Sequence, residues 1–283
     1  MKKKGMISID TAYFLRGIAA LMVIFSHFFE WSAERAGSES LSRFMMALGD
    51  PGVGIFFFLS GYALYKSCGE KKTDRVYLFK KIKSVYIPFI IIDLIKDIYR
   101  GEFTENTPET IRNMLIAKDF WFIQVILLIY LAWYFIGKLP KYRLTIMTLF
   151  ILNLSLYLKL RGYQIFWYDA NWAFAAGMIF SKYETKIPAV KNGAVLEIKD
   201  YVFCFLGKLS LYVYLLHGFL YLEMENSAAV QRLIPNWYLR VLLSTIAIAA
   251  ASFLVERGIH YLYAFTGKLF NRIFNRQKEP DAT

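Results

Sequence analysis

The chain is poor in the residues from which metal centres and disulfide scaffolds are built. Among 283 residues there are two cysteines and three histidines. Cys68 lies in a basic stretch and Cys204 in an apolar one, so no disulfide framework follows from them. No Cys/His cluster has zinc-ligand spacing, which argues against a structural or catalytic metal. No internal repeat and no low-complexity tract is evident. A cleavable leader is not expected either. Lys2, Lys3 and Lys4 do precede an apolar block, but a signal peptide has an apolar stretch of only about 7–15 residues and a small-residue cleavage site. Neither feature is found, so the first apolar segment is expected to be retained.

What the sequence has instead is apolar length. Apolar residues make up 57% of the chain, and they come in blocks rather than in the periodic faces of a soluble domain. Roughly 20 apolar residues at 1.5 Å each cover a hydrocarbon core of about 30 Å. Segments of this kind lie near 11–31, 52–66, 84–99, 119–137, 143–160, 164–181, 201–223 and 237–256. They predict an all-α, polytopic membrane bundle of about eight transmembrane helices. The span at 84–99 is short and carries Asp93, Lys96 and Asp97.

The net charge of +12 does not point to nucleic acid, because the basic residues sit in alternate loops. With the N-terminus inside, about 22 Lys and Arg fall in or next to inner segments and about nine in outer ones, the pattern of the positive-inside rule. Both termini are therefore expected in the cytoplasm, with the chain in a cell membrane. Residues 1–256 read as one membrane domain and 257–283 as a basic cytoplasmic tail. In that tail Leu262, Phe265, Leu269 and Ile273 share a helical face opposite Lys268, Arg272 and Arg276. Such a helix suits an anionic leaflet, making membrane lipids its partner.

An ionisable group within a membrane helix costs several kcal/mol on insertion scales (roughly 2.5–3.5), so each one calls for a reason. Arg16 and His27 stand about three turns apart on nearly one face of the first helix, with an axial separation of roughly 16 Å. One face thus carries a fixed cation towards the inner side and a titratable base further out. Taken singly, Arg16 is also explained by snorkelling and His27 by helix packing. Glu30, three residues on, could orient the His27 ring or simply face outer water. In the second helix Gly52, Gly54 and Gly61 allow close helix approach, and Ser60 can bond across it. Lys80, Lys81 and Lys83 could hold phosphates as point charges or act only as topology determinants. Lys208 and His217 repeat the inner-cation, outer-histidine order in the seventh segment.

The segments RGIAALMVIFSHF, GVGIFFFLSGY, KKIKSVYIP, DFWFI, GKLSLYVYLLH and LVER occur in that order between residues 8 and 257. In this the chain resembles the acyltransferase 3 family of bacterial membrane O-acyltransferases. The resemblance implies a cytoplasmic acyl-CoA donor, acetyl most often, and a carbohydrate hydroxyl acceptor on a surface or lipid-linked glycan. No permanently bound cofactor is implied. By motif, His27 would be catalytic and Arg16 would help to hold the donor, with Lys80, Lys81 and Lys83 meeting its nucleotide phosphates. Ser60, Gly61 and Tyr62 would shape the pore, and Trp121 and His217 would line or brace it. Family members usually have about ten membrane helices, and their basic motif carries arginines where lysines stand here. The alternatives are a glycan exporter, which would share the polar cavity, and a non-catalytic descendant of the enzyme.

Overall fold

The computed structural model describes residues 5–69, 72–105, 107–188 and 195–276. Among them it is all-helical, with one isolated bridge, Ile7 to Leu196, and no strand. The helices in chain order are α1 (Ile9–Trp31), α2 (Glu39–Met46), α3 (Gly49–Cys68), α4 (Arg75–Lys81), α5 (Ile87–Arg100), α6 (Glu102–Glu105), α7 (Thr107–Leu115), α8 (Trp121–Ile136), α9 (Arg143–Leu160), α10 (Asn171–Tyr183), α11 (Tyr201–Asn226), α12 (Ala228–Leu233) and α13 (Trp237–Arg276). Their starts carry the expected caps: Ser8 accepts from the Thr11 N–H, Asp74 from Tyr77 and Asp200 from Phe203.

Five stretches are long and apolar enough to cross a membrane: Ile9–Trp31, Glu39–Cys68, Arg143–Leu160, Tyr201–Asn226 and Trp237–Gly267. Helices also form over the other three apolar segments, α5, α8 and α10, with 14, 16 and 13 residues. The first of these is longer than it looks, because α4, a π turn at Ile82–Tyr86 and α5 follow one another without a break. The segment expected to begin at 164 becomes regular only at Asn171. Gly162 takes a positive φ of 77°, and a short 3-10 turn at Ile165–Trp167 precedes the helix. Many large apolar side chains point outward, among them Leu149, Leu152 and Leu156 on α9 and Leu242, Ile246 and Leu254 on α13. Faces this apolar need a hydrocarbon surrounding.

α13 runs unbroken for 40 residues, about 60 Å at 1.5 Å per residue and so about twice a hydrocarbon core. The basic tail thus begins as a direct continuation of the last apolar segment. Leu262 and Phe265 are exposed there. The side chains of Lys268, Leu269, Arg272, Ile273 and Arg276 lie outside the described residues, as does the middle of the polar stretch at 182–200.

Two backbone contacts organise the bundle. A Cβ on Gly17 would lie 2.0 Å from the Phe203 carbonyl oxygen, and one on Gly207 would lie 1.8 Å from that of Tyr13. Each glycine therefore seats its helix on the other, and paired residues rise together along both, as in Phe14–Phe203 and Phe28–Tyr221. α1 and α11 are parallel. α3 and α10 repeat the arrangement, with Gly61 against the Phe174 oxygen and Gly177 against that of Phe58, 2.0 Å in each case. Close packing of this kind is the main attraction between helices in lipid.

Ion pairs close the bundle at both ends. At the end holding the start of α1, buried Glu184 accepts from the Met6 N–H at 2.8 Å, from the Tyr62 hydroxyl at 2.8 Å and from Lys66. At the far end, buried Glu225 accepts from Arg240 Nε at 2.7 Å and from Arg35. Within α5, Lys96 Nζ sits 2.6 Å from Asp93 and 3.4 Å from Asp97, so this charged segment is largely compensated within its own helix.

Gly207→Val is expected to destabilise the folded protein by at least about 1–3 kcal/mol, since its side chain has no room at the crossing. Gly54→Ala has open space around it and should leave the melting temperature unchanged. Thermal unfolding of the two variants in the same detergent checks the contrast.

Candidate active site

The end of the bundle that carries the starts of α1 and α11 holds a cavity of about 1010 Å³. Its walls come from α1, the end of α3, α4 with its π turn, α11 and α13. Six cations line it, Arg16, Lys72, Lys80, Lys81, Lys83 and Lys208, against two carboxylates, Asp74 and Glu256. Three of the lysines are steadied by aromatic faces. Lys81 Nζ lies 4.1 Å from the Tyr130 ring centroid, Lys83 Nζ 4.4 Å from that of Tyr263, and Lys208 Nζ 5.5 Å from that of Tyr13. The Tyr263 hydroxyl also donates to the Lys83 carbonyl oxygen at 2.6 Å, which fastens α13 to the π turn. An excess of fixed cations in a concave site is an anion receptor.

A second space of about 300 Å³ lies beside the first, and Arg16, Lys81, Ser84, Ser210 and Leu211 line both. It runs deeper along α1 and α11 as far as Val23 and Tyr214. Both residues stand one turn short of a histidine. Val23 precedes His27 by four positions, and the Tyr214 ring is 5.9 Å from that of His217. The two imidazoles stack on each other at 5.1 Å, and the Trp31 indole lies parallel to both, at 5.0 and 5.8 Å.

The hydrogen bonds fix how these rings can act. His217 Nδ1–H donates to the Tyr214 carbonyl oxygen at 2.6 Å. His27 Nδ1 faces Glu30 Oε2 at 3.3 Å, and a carboxylate there accepts a proton-bearing nitrogen. In each neutral ring the lone pair is left on Nε2. The His27 side chain retains 33% exposure, so a group arriving from the far end can reach it. A neutral imidazole with an oriented ring is a general base.

The residues singled out by sequence divide into groups. Arg16, Lys80, Lys81 and Lys83 meet around the one cavity, and Ser60 lines the passage beyond it. Glu30, His27 and His217 meet one turn beyond the end of that passage, outside its lining. Gly61 serves the α3–α10 contact, and Tyr62 bonds Glu184. Trp121 packs on Phe166 and Trp167, 5.3 and 6.2 Å away, while its neighbour Phe122 faces the passage. Asn153 and Asn171 donate their side-chain N–H groups locally to the Leu149 and Trp167 carbonyls, while Asn171 Oδ1 is buried without a partner. Sequence reasoning missed Phe122, Tyr214, Trp31, His260 and Tyr263. Only Trp31 had a usable signal, its position one turn after His27.

Inorganic pyrophosphate should bind to the basic cavity with an affinity that falls steeply with salt. Replacing Lys80, Lys81 and Lys83 together by Gln should weaken it by about tenfold or more, each charged hydrogen bond being worth about 1.5–3 kcal/mol. Calorimetric titration of the detergent-solubilised protein at two salt concentrations measures both effects.

The family model of the acyltransferase 3 family, described as an acyltransferase domain, matches residues 7–194, more than half of the chain. No curated protein and no solved structure matches it.

Proposed function

The chain belongs to the acyltransferase 3 family and is a multi-pass membrane acyltransferase; from that premise we propose that it moves an acyl group, acetyl in the first instance, from acyl-CoA to a carbohydrate hydroxyl. The observation that carries this reading is that the cation-lined cavity shares five lining residues with a deeper space that stops one turn short of His27. CoA pairs a polyanionic nucleotide with a long thin arm, and the two spaces match those parts in order. The phosphates would meet Lys80, Lys81, Lys83 and Arg16, and the arm would follow the α1–α11 seam towards the histidines.

The basic end is then the cytoplasmic end, in keeping with the positive-inside rule and with a donor made in the cytoplasm. In this reading all eight apolar segments cross the inner membrane of a bacterium and both termini are cytoplasmic. The acceptor, a surface or lipid-linked glycan, comes from the far end, where His27 and Glu30 are exposed.

In the reaction His27 Nε2 removes the proton of the acceptor hydroxyl as its oxygen attacks the thioester carbonyl carbon. The carbon–sulfur bond breaks, the ester forms, and the imidazolium returns the proton to the departing thiolate. Glu30 holds the ring and stabilises the imidazolium while it exists. His217, stacked against His27, keeps the ring from turning away from the seam.

His27→Ala should lower transfer by at least about 10²-fold, the usual worth of a positioned base. The test is base-labile acyl groups released from washed envelopes of a deletion strain complemented with wild type or His27→Ala at matched membrane levels. Wild type should restore an ester that the variant does not, and the released acid identifies the donor. Equal restoration by both removes His27 from the chemistry. A change in glycan export with no change in ester would replace the enzyme by a transporter.

A further inference from the structure

The closed end of the passage differs chemically from its mouth. Arg16 and Lys81 stand at the mouth, and beyond them the described lining offers no further charge. The remaining polar groups are the hydroxyls of Ser60, Ser84, Ser210 and two tyrosines. The deep part is walled by Val23, Val53, Phe56, Phe122, Ile126 and Tyr214. Three of these are aromatic, with Phe122 next to each of the other two: its ring lies 5.3 Å from that of Tyr214 and 6.3 Å from that of Phe56.

Their backing is rigid. Phe122 also packs edge-on against buried Phe57 at 5.0 Å, and Tyr214 against Phe120 at 6.2 Å. Aromatic rings held from behind change rotamer only by displacing their neighbours, so they set a firm limit to what fits. Such a wall ends one turn, about 6 Å along α1, before His27.

We infer that Phe56, Phe122 and Tyr214 form a sieve that admits only short, uncharged acyl groups of an acyl thioester. This rests on the donor reading above and sharpens it. A thioester carbonyl brought to the level of Val23 and Tyr214 leaves its acyl tail against the three rings. A methyl group fits in that position. A longer chain meets ring edges, and a tail ending in a carboxylate is buried where no cation can pair with it. Succinyl and other dicarboxylic donors are excluded by charge, and medium-chain donors by length.

The test compares donors on one protein, so any partial loss of folded material cancels. Full-length protein in nanodiscs of host lipid is titrated with CoA, acetyl-CoA, hexanoyl-CoA and succinyl-CoA by displacement of labelled CoA. Wild type should favour acetyl-CoA over both other thioesters by about tenfold or more, the discrimination a packed apolar pocket supplies. Phe122→Ala should narrow the acetyl-to-hexanoyl ratio to about threefold or less, with Phe122→Leu in between. An unchanged ratio in both variants overturns the sieve, and so does a wild type that binds hexanoyl-CoA or succinyl-CoA as well as acetyl-CoA. CoA binding without discrimination among thioesters defeats the sieve alone. Failure to bind CoA in any form defeats the donor reading, and the sieve with it.

Discussion

The site depends on one contact, the seating of α1 on α11 at Gly17 and Gly207. Each glycine meets a carbonyl oxygen four residues earlier on the partner helix, so the two chains touch at one level and run the same way. Ten residues further on, about 15 Å along each helix, stand His27 and His217. Their rings stack because parallel helices in backbone contact remain within side-chain reach over that distance. The residues flanking the crossing, Tyr13, Arg16 and Lys208, are themselves walls of the basic cavity. One steric requirement therefore sets the cation cluster, the seam and the imidazole pair together. Any side chain at either glycine would disturb all three.

The second glycine pair serves a different purpose. α3 and α10, joined at Gly61 and Gly177, carry the cluster around Trp133, Met147, Ile151 and Phe174 and present Ser60 and Phe56 to the passage. Buried Glu184 then ties α10 to Tyr62 and Lys66 of α3 and to the start of the chain at Met6. A buried carboxylate is costly without partners, and here three donors answer it. The same rule holds at Glu225 and at Lys96. Charge inside this bundle is compensated by groups close at hand, except in the basic cavity, where six cations face two carboxylates. That imbalance marks the cavity as a place for an anion and separates it from the structural ion pairs.

Much of this was legible in the sequence, because helical periodicity is a local property. The Arg16–His27 spacing and the Lys208–His217 order could be read from residue numbers alone, and so could the lysine run. What could not be read is which way adjacent residues turn. Ser60, Gly61 and Tyr62 follow one another at about 100° per residue. Three different neighbours claim them: the passage, the α10 backbone and Glu184, 122 positions after Tyr62. Trp121 and Phe122 divide in the same way. The reach of α13 past its apolar part was hidden too. Tyr263 and His260 become walls of the cavity only because the helix continues unbroken and meets the π turn at Lys83.

In the proposed reaction, a path from a charged donor to an acceptor on the other side of a membrane has to hold two requirements at once. It must carry the reacting carbon most of the way across, and it must not become a water channel that would hydrolyse the thioester. The division of lining meets both. Charge is confined to the wide mouth, where the phosphates would remain hydrated and paired. Only the neutral arm would have to enter the narrow part, whose lining beyond Arg16 and Lys81 carries no charge. The one turn from Val23 to His27, about 6 Å, would have to open in the proposed reaction, because a base acts only on a hydroxyl within hydrogen-bond reach.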